Sequence, residues 1–127
     1  MIREFYDLKV WQDSRKLVVR IYELTSEFPK QETYGLTDQL RRAVNSVCAN
    51  IAEGFGRHHP KEKIKFYYNA RGSLYESKSH ILVAKELKYL TSEITAELLN
   101  RFDHIGRMLN ALISSLSRYS DSLNRKT

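Results

Sequence analysis

Cysteine is almost absent. Cys48 stands alone among 127 residues, so no internal disulfide can form. It lies beside an apolar stripe and reads as a small buried hydrophobe rather than a reactive thiol. With two prolines and five glycines, little interrupts the chain, and long helices are open to it. No segment approaches the roughly 20 apolar residues of a membrane span. The opening MIREFYDLKVWQ lacks the apolar core of a signal peptide. The expectation is a soluble cytoplasmic protein with no membrane partner. Acidic residues are also in short supply, 15 against 21 Lys and Arg, which leaves a net charge of +6. A polyanion such as nucleic acid is one partner this charge fits. A merely solvated basic surface fits it equally well. The length suits one domain, residues 1–127. A chain of this size buries about two-thirds of its unfolded surface, so a core needs neither disulfide nor metal.

What is present is helical periodicity. Val10, Ser14, Leu17, Ile21, Leu24 and Phe28 recur at steps of three and four, with Asp7 as the expected N-cap and Pro29 ending the helix at Phe28. Trp11, Val18 and Tyr22 widen that face. A second helix carries Leu40, Val44, Val47, Ile51 and Phe55, with the small and polar stripe Gln39, Ala43, Ser46, Asn50 and Gly54 beside them. Gly54 and Gly56 favour its termination, and Pro60 suits the first position of the next helix. The third stripe is Tyr67, Ala70, Leu74, Ser77, Ile81, Ala84 and Leu87. Gly72 within that helix predicts close approach by a neighbouring backbone. Thr91 or Ser92 caps a fourth helix with Ile94, Leu98, Phe102, Ile105, Leu109, Leu112, Leu116 and Tyr119, and the polar tail SDSLNRKT is expected to fray. The helices span about 8–28, 36–55, 61–89 and 92–119. Short connections make sequential helices antiparallel, so the predicted fold is all-α, an up-down-up-down four-helix bundle.

Particular residues also carry a family likeness. Leu8 and Trp11 follow an aromatic lead-in. Then come Pro29, Glu32, Tyr34, Gly35 and Leu36, followed by Gln39, Arg41, Arg42 and Ser46, and the run Asn50–Ile51–Ala52–Glu53–Gly54. Gly72–Ser73–Leu74 with Glu76 completes the set. With these residues the chain resembles the four helix bundle protein family, the 23S rRNA intervening-sequence proteins, from about Phe5 to Tyr119. Val47 and Cys48 stand where a proline is common in relatives. The resemblance implies a cytoplasmic bacterial bundle assembled as a homopentamer. It also implies a likeness to the accessory variability determinant proteins of diversity-generating retroelements, which bind a reverse transcriptase and nucleic acid through a basic surface.

Candidate sites follow from charge and chemistry. Arg41, Arg42, Arg57, Lys61 and Lys63, with Lys65, His58 and His59 nearby, are the candidate phosphate contacts. Tyr67 and Tyr68 are candidate stacking platforms for unpaired bases. For Arg41 and Arg42, pairing with carboxylates on a neighbouring helix is an equally open reading. Gln39, Ser46, Asn50 and Glu53 read as a structural polar network or an oligomer contact, because polar groups at core height need partners. Catalysis finds no support. His58 and His59 are adjacent and do not share a helix face, His80 and His104 are isolated, and no Glu-x-x-His pair of the di-iron type occurs. GFGRHHPK lacks the ending of a phosphate-binding loop. No enzyme activity, metal or cofactor is therefore expected. The sequence reads as a non-catalytic, basic, oligomeric scaffold that binds RNA or DNA mainly through phosphates. The alternative is a protein–protein adaptor.

Overall fold

The computed structural model describes residues 1–125, and its helices are α1 (Lys9–Thr25), α2 (Leu36–Gly56), α3 (Pro60–Glu86) and α4 (Ser92–Arg125). Short 3-10 turns at Phe5–Asp7 and Lys30–Glu32 precede α1 and α2. No strand occurs among the described residues. Each helix packs on two others, α1 on α2 and α4, and α3 on α2 and α4, which closes a four-helix bundle.

The pairings are antiparallel. Moving up α3 from Arg71 to Lys78 moves down α4 from Asn110 to Asp103. Moving up α1 from Asp13 to Arg20 moves down α4 from His104 to Glu97. The core is built from the expected stripes, and Leu17, Ile21, Leu40, Val44, Val47, Ile51, Leu74, Ile81, Leu98, Phe102, Ile105 and Leu109 are all buried. Burying one such side chain contributes about 1.5–3 kcal/mol, so twelve of them dominate the fold.

Several boundaries differ from the sequence reading, each for a local reason. Asp7 does not cap α1. Its carboxylate accepts the main-chain N–H groups of Arg3 and Glu4 at 3.0 and 3.1 Å and so ties down the lead-in, with Leu8 flanking α1 instead. Those two donors hold the Asp7 carboxyl below its ordinary range. Helix α1 ends at Thr25, not Phe28. Phe28 stays buried in the following turn, its ring 5.2 Å from that of Tyr89. Helix α3 ends at Glu86. Leu87 is exposed, and Lys88 takes a positive φ of 66°. There the Tyr89 N–H reaches Ala84 O and the Lys88 N–H reaches Lys85 O, a Schellman closure.

Helix α4 runs on to Arg125, so the tail is helical as far as it is described; Lys126 and Thr127 lie outside the described residues. Thr91 caps this helix, its hydroxyl accepting the Ile94 N–H at 3.1 Å. Near its end the buried residue is Ser120, and Tyr119 points to solvent.

Neither Gly54 nor Gly56 adopts a positive φ, so α2 does not end in a left-handed glycine cap. Gly54 serves close packing instead: a Cβ there would sit 2.7 Å from Tyr67 Cε1 and 3.1 Å from Phe66 Cβ. At Gly72 a Cβ would meet nothing within 4 Å, so the expected close neighbour is absent among the described residues.

Candidate nucleic-acid interface

The five candidate cations do not share one patch. Arg41 and Arg42 start α2, whereas Arg57, Lys61 and Lys63 sit around its far end, about 24 Å away at 1.5 Å per residue. Their surroundings differ as well. Arg41 donates to Thr25 Oγ1 at 2.8 Å and to the Tyr22 carbonyl at 3.3 Å, and its guanidinium lies over the Tyr22 ring. It clamps the carboxyl end of α1, sharing the Tyr22 carbonyl with the Ser26 N–H. Lys63 caps the carboxyl end of α2, where the last carbonyls lack helical donors. Its ammonium donates to Phe55 O at 2.6 Å, and partial burial there lowers its pKa. Arg42 pairs with Asp38 at 2.9 Å and Arg57 with Glu53 at 3.3 Å, both one helical turn back and solvent-exposed. Lys61 is exposed with no hydrogen bond or ion pair among the described residues, and so is Lys65 one turn on.

The polar stripe also divides. Asn50 Nδ2 donates to Ser46 O at 2.9 Å and to Ser46 Oγ at 3.0 Å. The Ser73 hydroxyl of α3 donates to Ser46 Oγ at 2.8 Å. These small groups let α2 and α3 approach closely, and the network continues to Ser77, whose hydroxyl donates to Ser73 O. Gln39 is exposed and outside the network, and Glu53 joins Arg57 on the surface.

The candidate stacking residues separate cleanly. Tyr67 is buried against Gly54, and burial raises its phenol pKa, so no base can reach it. Tyr68, the next residue along α3 and about a quarter-turn round it, is 48% exposed. Arg71 lies over its ring at 5.0 Å. One heptad on, Lys78 lies over the exposed ring of Tyr75 at 5.1 Å. Arg71, Tyr75, Lys78 and Arg107 line a groove between α3 and α4, and Tyr68 lies outside that lining, beside it under Arg71. The groove residues Arg71, Tyr75, Lys78 and Arg107 are not among the sequence candidates. Their signal is legible in hindsight as a repeated Tyr-x-x-cation spacing, Tyr68 with Arg71 and Tyr75 with Lys78.

His58 and His59 are exposed and pack ring edge to face at 5.1 Å. His80 pairs with Glu76, and His104 with Asp13. Burial pushes the Cys48 thiol up to about 11. Among the described residues no group of three or more His, Cys, Asp or Glu side chains is placed to hold a metal ion, and no helix is long and apolar enough to cross a membrane.

The family described as 23S rRNA-intervening sequence protein matches residues 6–111. No curated protein matches the chain. Among solved structures, the fold is similar to that of a protein with unknown function from the S23 ribosomal protein family of Bacteroides thetaiotaomicron VPI-5482. The TM-score is 0.74 at 22% identity, over 82% of this chain and 97% of that one.

Proposed function

This chain belongs to the 23S rRNA-intervening sequence protein family, and we propose that it is a non-catalytic scaffold that binds RNA or DNA through phosphate contacts. The observation that carries this reading is the start of α3. There Lys61 and Lys65, one turn apart, are exposed and have no carboxylate partner among the described residues. Such cations release counterions on meeting phosphate and read no bases. Arg42 and Arg57 add to them, because their exposed ion pairs are worth little and exchange readily for phosphate. Arg41 and Lys63 support the surface from beneath, each holding a helix end in place.

A homo-oligomeric assembly in the bacterial cytoplasm, pentameric by resemblance to the family, belongs to the same proposal. Leu82 and Val83 on the outer face of α3, and Leu87 just past its end, are close to half exposed and offer a subunit contact. The same residues favour the second reading, a protein–protein adaptor that makes no nucleic-acid contact.

The test is titration of labelled RNA and DNA at several salt concentrations, beside pull-down from nuclease-treated lysate. Affinity that falls steeply with salt supports the scaffold reading. No binding at low salt, with one stoichiometric protein surviving nuclease, supports the adaptor.

A further inference from the structure

We propose that the groove between α3 and α4 takes a single strand of RNA or DNA, its bases stacked on Tyr68 and Tyr75 and its phosphates held by Arg71, Lys78 and Arg107. This rests on the nucleic-acid reading above and narrows it to unpaired strands.

Tyr68 and Tyr75 are 48% and 61% exposed, so neither ring contributes to the core. Each carries a cation over its face, and each cation is tethered across the groove. Arg71 Nη1 donates to Asn110 Oδ1 at 2.9 Å, and Lys78 Nζ donates to Asp103 Oδ1 at 2.7 Å. The Arg71 charge is therefore held along the groove by a neutral amide, whereas the Lys78 charge is held there paired with the Asp103 carboxylate. Arg107, exposed and without an ion-pair partner among the described residues, adds a third.

The two tyrosine–cation units are one heptad apart, about 10.5 Å along α3 at 1.5 Å per residue. That is roughly three base rises of a stacked strand at 3.4 Å each. A strand lying in the groove meets Tyr75 with Lys78, and one that continues past Arg71 meets Tyr68 at the groove's edge. In a duplex the base faces are already stacked on one another, so the tyrosines gain nothing from it. The lysines at the start of α3 accept either form. Stacking also tolerates sequence, because every base has a π-face.

The test compares wild type with Tyr68→Leu, Tyr75→Leu and the double variant. It follows fluorescence anisotropy of short labelled single strands, RNA and DNA, and of the matching duplex. Each substitution is expected to weaken single-strand binding about ten-fold and to leave duplex binding within about two-fold. Leu keeps the helix propensity, and circular dichroism melts check the fold. A second measurement needs no variant: photo-crosslinking of wild type to bromouracil-containing single strands is expected to label Tyr68 or Tyr75. Equal losses on single strand and duplex, no loss on either, or crosslinks only outside the groove would overturn the inference while leaving phosphate binding intact. A wild-type protein that binds neither form removes the scaffold reading and this inference with it.

Discussion

The Arg41 guanidinium lies 4.5 Å from the centre of the Tyr22 ring and donates to Thr25 Oγ1 at 2.8 Å. Tyr22 in turn accepts a hydrogen bond at its hydroxyl from Asn45 Nδ2 at 2.8 Å, so the pair also joins α1 to the third turn of α2. This arrangement makes Arg41 a structural cation, in contrast to Lys61. Arg41→Gln is expected to cost about 1–2 kcal/mol of stability, through the lost charged hydrogen bonds and ring contact. It should leave nucleic-acid affinity within about two-fold. Lys61→Gln is expected to do the reverse, keeping the melting temperature and lowering the salt slope of binding by about one phosphate contact. Thermal melts and salt titrations of the two variants separate the roles.

Much of the bundle is legible because a helix repeats its buried face at a fixed period, as Leu40, Val44, Val47 and Ile51 do. The pattern loses its authority where the neighbours change. At the end of α4 the neighbours are His59, Pro60 and Lys61 at the α2–α3 connection, and Ser120 rather than Tyr119 turns towards them. Charge is less legible than apolarity. Arg41 lies in the second turn of α2 and Lys63 in the first turn of α3, and the antiparallel packing brings each onto the carboxyl end of the preceding helix. Closeness in sequence groups Lys63 with Lys61, but projection from the helix separates them. The outer stripe of α3 escapes a search for cores, since its tyrosines face away from the buried stripe.

Two glycines should respond in opposite directions. At Gly54 an added Cβ would press on Tyr67, which is buried and cannot retreat. Gly54→Ala is expected to destabilise by about 1–3 kcal/mol, as overpacking does. At Gly72 the space is open, and Gly72→Ala is expected to gain about 1 kcal/mol from helix propensity. Denaturant melts read both signs.

Lys88 holds the left-handed position that closes α3, with φ at 66°. A Cβ is penalised there, and glycine is not. Lys88→Gly is expected to stabilise by about 0.5–1 kcal/mol, even though it removes a side chain. A melting temperature that falls would show that the lysine side chain contributes more than the backbone strain costs.

Burial lifts the Cys48 thiol to about 11 from 9.0, and the Arg15 charge opposes this only weakly. The thiolate is the nucleophile, so alkylation by iodoacetamide at pH 8 is expected to run about a hundred-fold slower than for a free cysteine. Stability follows with a definite sign. The folded chain holds the proton more tightly than the unfolded chain, so this contribution is intact below pH 9 and is lost as pH rises from 9 towards 11. Cys48→Ala should flatten the alkaline limb of the stability curve over that window.

Asp103 is the one carboxylate among the residues lining the α3–α4 groove, and it neutralises Lys78. A phosphate entering the groove meets its repulsion and competes with it for the ammonium. Asp103→Asn removes one negative charge and leaves an amide of the same shape. Single-strand affinity is expected to rise several-fold at low salt, with a steeper salt dependence because Lys78 becomes available to release a counterion. The cost in stability should be small, at most about 1 kcal/mol, since the pair is partly exposed. Anisotropy titrations at two salt concentrations decide the matter: affinity that stays constant or falls would mean that the strand does not pass Lys78, whatever the tyrosine variants do.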